Sequence, residues 1–240
     1  MPSPGARHRR VRYAFLCDFD GTITPRDVGA EFLKAFALPG SEPERRALVA
    51  AWEEGRVGTR ELAEAECRLA SASLEQANAF VRRFELDRHF EPFAREAEAR
   101  GDRVLVVSEG FEFYIEQLLG RAGLLDLERI ANRLEFEDGR LIPVFPNAGL
   151  GCGRCGNCKG AHADRARREG YRVVLVGDGL SDRCAAQAAD HVFARGALAQ
   201  WCAAEGIATC AFESFADVAR LARDLPGRVP VPETFERGVS

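Results

Sequence analysis

Apolar residues along the chain fall into two kinds of stretch, short unbroken runs and longer periodic ones, and the two alternate. Val11 to Cys17 is a near-continuous apolar run rich in aromatics, ending in Asp18, Asp20 and Gly21. A run of this kind predicts a strand buried on both faces that empties into a loop at its carboxyl end. Apolar positions then recur at helical spacing over Val28 to Leu38, Pro43 to Glu54, Thr59 to Ala70 and Leu74 to Phe84. Pro39-Gly40, Gly55 and Gly58 separate these segments, and Ser73 with Gln76 makes a capping box for the last. A block of helices following one strand predicts an inserted helical cap over 26–85.

Strand and helix patterns then alternate. Arg103 to Val107 predicts a second strand ending at Ser108-Glu109-Gly110, followed by a helix over Phe111 to Leu119. Asn132 to Phe145 reads as a hairpin turning at Asp138-Gly139, and Ala161 to Glu169 as a helix. Arg172 to Val176 predicts a third buried strand, ending at Gly177-Asp178-Gly179, with a helix over Ser181 to Ala188. Short strands at His191 to Ala194 and Thr209 to Phe212 complete the pattern. The fold expected is α/β, a doubly wound parallel, Rossmann-like sheet. It is assembled from 11–25 and 86–225 with a hairpin insertion at about 128–150, and 1–10 and 226–240 are expected as flexible tails.

Such sheets bind ligands beyond the carboxyl ends of their strands, and the polar clusters sit there. Asp18, Asp20 and Thr22 follow the first strand, Ser108, Glu109 and Gly110 the second, and Asp178 and Asp182 the third, while Lys159 opens the preceding helix. Three carboxylates brought into one crevice repel one another without a cation, and hard oxygen donors of this kind suit Mg²⁺. A hydroxyl, a lysine and helix N-termini suit a phosphate group. Asp18 and Asp20, one residue apart in an extended segment, face the same side. Asp18 is then placed to attack phosphorus and form an aspartyl-phosphate. Asp20 protonates the leaving alcohol and later takes a proton from water, which requires a raised pKa. Each cluster alone also fits a plain turn or helix cap; their meeting at one sheet edge favours catalysis.

Composition narrows the partners. The 240 residues are 46% hydrophobic and 29% charged, ordinary for a soluble globular protein. A net charge of −4 supplies no basic field for nucleic acid or an anionic membrane, and the basic stretch Arg7 to Arg12 is a short arm. Tyr13 to Cys17 is too short for the apolar segment of a secretory signal, and no run reaches the length of a bilayer span, so a cytoplasmic location is expected. The eight cysteines, Cys17, Cys67, Cys152, Cys155, Cys158, Cys184, Cys202 and Cys210, are then expected reduced and mostly buried. Cys152, Cys155 and Cys158, with His162 four residues further on, have zinc-like spacing. Their compression against Lys159 favours a tight reduced loop near the site entrance instead. His8, His89 and His191 show no ligand pattern.

Taken together, Asp18-Phe19-Asp20-Gly21-Thr22 resembles the first motif of the haloacid dehalogenase superfamily, Ser108 the second and Lys159 the third. Gly177-Asp178-Gly179-Leu180-Ser181-Asp182 resembles the fourth, and the likeness covers roughly Val11 to Phe215. The resemblance implies a Mg²⁺-dependent phosphomonoesterase acting on a small phosphorylated metabolite. Its metal is held by Asp18, Asp178 and the main-chain carbonyl of Asp20, with Asp182 on the metal's water or on Lys159. Thr22, Ser108, Glu109, Gly110 and Lys159 surround the phosphate. A dehalogenase would not need Asp178. The helical insertion resembles the cap of the subfamily that contains phosphoserine phosphatase.

Within that subfamily, Cys158-Lys159 after a hairpin is similar to the phosphatases of methionine salvage, which act on 2-hydroxy-3-keto-5-methylthiopentenyl 1-phosphate. So are Ala185-Ala186, Ala189-Asp190, Val192-Phe193-Ala194-Arg195 and Leu198 after Asp182. Glu109 departs from them, standing where a glycine is usual. Three cysteines before the lysine resemble the phosphoethanolamine and phosphocholine phosphatases. Asp27 stands where phosphoserine phosphatases place an acid that reads the substrate amino group. Arg56 or Arg60 is then available for a carboxylate, and Phe32, Phe36 and Trp52 for an apolar pocket. The plainer reading, aromatics as cap core and arginines as a solvated face, is the favoured one. Two other function classes stay open: a phosphotransferase or mutase that passes the aspartyl-phosphate to another acceptor, and a zinc-stabilised binding module built on the cysteine loop.

Overall fold

The computed structural model describes residues 11–227. The predicted tails, including His8, lie outside the described residues except for Pro226 and Gly227. Seven strands form one sheet: β1 (Tyr13–Cys17), β2 (Arg103–Phe111), β3 (Glu128–Glu137), β4 (Arg140–Val144), β5 (Arg172–Gly177), β6 (His191–Ala194) and β7 (Cys210–Ala211). Their order is β4-β3-β2-β1-β5-β6-β7. Neighbours run parallel throughout except for the β3–β4 pair. That hairpin turns where expected, with Asp138 at φ 49° and Gly139 at φ 81°, the two positive angles a type I′ turn requires.

Strand β1 is central and buried at every position, as its unbroken apolar sequence demands. Its pleat divides the core. Tyr13, Phe15 and Cys17 face one layer, while Ala14 and Leu16 face the other with Leu105, Val107, Ala163 and Ala166. The first layer carries α5 (Phe90–Ala99), α6 (Glu112–Arg121) and α10 (Phe215–Arg223); the second carries α7 (Lys159–Arg168), and α8 (Arg183–Ala188) and α9 (Gly196–Ala204) cover the β5–β6 side. Helices α5, α9 and α10 lie beyond those predicted. The apolar stripe Phe90, Phe93, Ala94, Ala97 of α5 meets Phe215 of α10, with ring centroids 4.8 and 5.4 Å apart.

The helical block after β1 comprises α1 (Val28–Ala35), α2 (Glu42–Glu53), α3 (Thr59–Arg68) and α4 (Leu74–Val81). Ser73 caps α4 through the expected reciprocal bonds with Gln76. Phe32 and Phe36 pack on Phe80, and Phe32 also on Phe113 of α6. Phe32 is therefore core and joins the helical block to the sheet layer, with Phe36 partly buried against it. No helix among the described residues is long and apolar enough to cross a membrane.

Candidate active site

The chain leaves the sheet at Asp18, whose N–H still donates to Val176 O at 2.9 Å. The next five residues form a tight coil in which Asp20 keeps extended angles (φ −73°, ψ 123°): Ile23 N–H donates to Asp18 O at 3.3 Å and Thr24 N–H to Phe19 O at 2.9 Å. Gly21 makes the coil possible, with φ 74° and a Cβ position only 2.5 Å from Asp178 Oδ2. Asp18 and Asp20 therefore reach the same cavity by different routes and meet different partners.

Asp18 Oδ1 accepts from Phe19 N–H at 2.7 Å and pairs with Lys159 Nζ at 2.5 Å. Lys159, the first residue of α7 and 1% exposed, also reaches Asp182 Oδ1 at 2.6 Å. Asp182 is fully buried, and its other oxygen accepts from Gly179 N–H at 3.2 Å. Thr22 donates its hydroxyl to Asp178 Oδ1 at 2.8 Å, so it orients that carboxylate. Carboxylate oxygens of Asp18, Asp178 and Asp182 lie within 4.8 Å of one another.

Asp18 and Asp182 thus share one ammonium, with Asp178 beside them. Burial, then the neighbouring Asp182, pushes the Asp18 carboxyl well above its ordinary range, with Lys159 opposing. Asp178 is pushed up by burial despite the bond from Thr22. Burial works against the Lys159 ammonium, but Asp18 and Asp182 hold it above its ordinary value. The cluster is short of positive charge. An all-oxygen donor set with this deficit fits a hard divalent cation, Mg²⁺ in particular, which binds through one or two carboxylates and keeps water or phosphate on its other positions.

Asp20 lies outside the acidic cluster. Its Oδ1 accepts from Val28 and Gly29 N–H at 2.9 and 3.2 Å, at the N-terminus of α1, and its Oδ2 accepts from Tyr114 Oη at 2.5 Å. Enclosure, then Asp27, pushes its carboxyl up to about 7, with Tyr114 and the two amides pulling the other way. Tyr114, fully buried in α6, is a site residue the sequence reading missed because it sits on an apolar helix face with the pattern of a core aromatic. Gly110 makes room for it: a Cβ there would meet Tyr114 Oη at 1.6 Å. Tyr114→Phe removes the strongest donor to Asp20 Oδ2, so the Asp20 carboxyl moves further up. The Asp20 titration then shifts to higher pH, with a stability loss of about 1.5–3 kcal/mol for a hydrogen bond to a charged group; carboxyl NMR against pH and a urea melt check both.

Strand β2 runs on through Ser108, Glu109 and Gly110 to Phe111, with a shift of register against β3. Ser108 does not cap α6; its Oγ accepts from Gly110 N–H at 2.8 Å and lies 3.4 Å from Asp20 Oδ2. The Glu109 carboxylate accepts from Gly156 and Asn157 N–H at 3.0 and 3.1 Å. It holds the cysteine loop, which accounts for a glutamate at that position.

These residues open into a cavity of about 340 Å³ between the strand ends and the helical block, walled by Leu33, Val49, Trp52 and Leu62 and edged by Asp27. Asp27 caps α1, accepting from Ala30 N–H at 2.7 Å. Arg56 is exposed and pairs with Glu54 at 2.6 Å, and neither Arg56 nor Arg60 lines the cavity. The arginine that does is Arg45, already paired with Glu42 at 3.1 Å and with Glu66 at 3.5 Å. Arg195 donates to Gly21 O and thereby clamps the loop carrying Asp20.

A parallel sheet ending in an aspartate pair, a buried lysine and a second acidic turn defines a hydrolase of the phosphoryl-transferring α/β type. The haloacid dehalogenase-like hydrolase model matches residues 15–187, and the chain belongs to that family. It is a phosphatase within it. A 2-hydroxy-3-keto-5-methylthiopentenyl-1-phosphate phosphatase of Geobacillus kaustophilus is 35% identical over 208 residues, covering 84% of this chain and 91% of that one. The protein of the same name from Brevibacillus brevis is 27% identical over 225 residues, covering 91% and 98%. Among solved structures, a phospho-aspartyl intermediate analogue of phosphoserine phosphatase superposes with a TM-score of 0.68 at 22% identity, covering 89% of this chain and 99% of that one, a likeness of fold.

Proposed function

We propose that the protein hydrolyses the phosphate monoester of a small metabolite with an apolar tail, and that its substrate is that of its methionine-salvage relatives, 2-hydroxy-3-keto-5-methylthiopentenyl 1-phosphate. The observation that carries the chemistry is the buried Lys159 bridging Asp18 and Asp182, with Asp178 within reach of both carboxylates. Asp18 and Asp178, with the main-chain carbonyl of Asp20, are the residues that would hold Mg²⁺, whose charge would offset that on the phosphoryl oxygens. Lys159 keeps Asp18 oriented, ionised and aimed at phosphorus. The phosphoryl group passes to Asp18 while the alkoxide leaves with the proton of Asp20, and water assisted by Asp20 then cleaves the aspartyl-phosphate. Ser108 and the main-chain N–H groups beside it face the phosphate. Helices α1–α4 act as the cap over the cavity.

Substrate choice rests on the cap wall. Leu33, Val49, Trp52 and Leu62 offer apolar surface to a thioether tail. Among the described residues lining the cavity, the sole arginine is engaged by Glu42 and Glu66, which disfavours a substrate carboxylate such as that of phosphoserine. The test is a panel of phosphoserine, phosphoethanolamine, phosphocholine and the methylthiopentenyl ester with Mg²⁺. The last is expected to lead in kcat/KM by at least about 10-fold, the scale of apolar pocket discrimination; a preference for phosphoserine would sink the assignment.

The acid role of Asp20 gives a pH signature. With its carboxyl pushed up to about 7, the protonated form predominates below that pH and is lost above it. For an alkyl ester, whose leaving group needs the proton, kcat/KM declines as pH rises through this value. With p-nitrophenyl phosphate, whose leaving group departs as the anion, the decline is absent. Parallel profiles for the two substrates would remove Asp20 as the acid.

A further inference from the structure

Beside the carboxylate site lies a second cluster of ligating atoms. The sulphurs of Cys152, Cys155, Cys158 and Cys184 all lie within 4.8 Å of one another. The fourth member is not His162, the sequence-adjacent candidate: its Nε2 is bonded to Asn157 Oδ1 at 2.7 Å. Cys184 comes instead from α8, two residues past Asp182. Cys152 and Cys155 stand 3.4 Å apart, and all the described cysteines are free thiols. A disulfide would close that distance to about 2.05 Å. A tetrahedral tetrathiolate zinc site, with bonds of about 2.3 Å, separates its sulphurs by about 3.8 Å.

We propose that Cys152, Cys155, Cys158 and Cys184 hold one structural Zn²⁺, distinct from the oxygen-donor site. Three observations converge on it. Four sulphur donors with no carboxylate among them make the closed set that selects zinc over Mg²⁺. Cys152 is exposed and Cys184 half-buried, so a metal has an entry path, while Cys155 and Cys158 are buried. The loop is also held in register without the metal: Glu109 binds the N–H groups of Gly156 and Asn157, and Asn157 Nδ2 donates to Ser108 O and Ile130 O at 2.9 Å each. Hydrogen bonds that hold the loop in place pre-position the sulphurs it carries.

The placement gives the ion a task. Cys158 directly precedes Lys159 and Cys184 closely follows Asp182, so the metal ties together the two turns whose side chains meet at 2.6 Å in the active site. The same loop touches the cap: Arg154 donates to Gly55 O at 2.7 Å and its carbonyl accepts from Arg60 N–H at 3.2 Å. Zinc thus braces the wall between the catalytic turns and the α2–α3 linker. The proposal is independent of which phosphate ester is the substrate.

The full chain, produced without a histidine tag in zinc-supplemented medium and gel-filtered under reducing conditions with Mg²⁺ present, is expected to carry one zinc by mass spectrometry of metals. Cys184→Ser loses most of it, whereas His162→Gln keeps the full amount. Should Cys184→Ser fail to fold, the wild-type chain reconstituted with Co²⁺ gives the intense thiolate-to-cobalt absorption of a tetrahedral tetrathiolate site. Absence of both zinc and that absorption, iron in place of zinc, a native disulfide among these cysteines, or zinc retained by Cys184→Ser but lost from His162→Gln would each overturn the proposal.

Discussion

Asp18→Asn yields a folded protein whose turnover of p-nitrophenyl phosphate with Mg²⁺ falls by at least about 10⁴-fold, the scale of removing a covalent nucleophile. Asparagine preserves the shape of the side chain but its amide does not attack phosphorus. The fold should not suffer. Asp18 is one of three clustered carboxylates with a single ammonium between two of them, and burial and Asp182 already push its carboxyl up. Deleting its charge therefore relieves repulsion, so the melting temperature without divalent cation stays level or rises. That second measurement separates a chemical loss from structural damage. Turnover near wild type in the variant would eliminate Asp18 as nucleophile, and wild-type protein quenched during turnover should carry a phosphoryl group on the peptide containing Asp18.

Lys159→Met is expected to cost both activity and stability. Lys159 is 1% exposed and lies 2.5 Å from Asp18 and 2.6 Å from Asp182. Removing one partner of a buried pair leaves uncompensated charge, a loss of about 3–5 kcal/mol near neutral pH. The sign of the pH dependence follows. Without the ammonium the Asp18 carboxyl, already raised, moves further up, and a carboxyl raised above its unfolded value contributes stability at low pH that is lost as pH rises. The deficit therefore shrinks on acidification. Mg²⁺ should also stabilise the variant more than the wild type, since the ion supplies charge that the lysine no longer does. Urea melts at neutral and acidic pH, with and without Mg²⁺, measure all three; a variant as stable as wild type at neutral pH would mean the buried pairing contributes nothing.

Much of this arrangement was legible in the chain. The strands β1, β2 and β5 announce themselves because a strand buried on both faces has no polar positions until it leaves the sheet, and the polar residue that ends it is the one at the ligand edge. Helices α1–α4 carry turn and capping signals of their own, as at Ser73 and Gln76. Helices α5 and α10 also hold apolar stripes at helical spacing, yet each stripe acquires meaning only from the partner it packs against.

Residue order alone determined which strands end in carboxylates, that the helical block interrupts them after the first, and that the donors near Lys159 are hard oxygens. Tertiary structure decided the rest. It turned Asp20 towards Tyr114 and Asp18 towards Lys159, gave the cavity Arg45 in place of Arg56 or Arg60, aimed Glu109 at a loop, and exchanged His162 for Cys184. The physical reason is common to all of these. Periodicity reports which face of an element is apolar, whereas the partner of a polar atom depends on crossings and loop paths that bring distant residues within a hydrogen bond's reach.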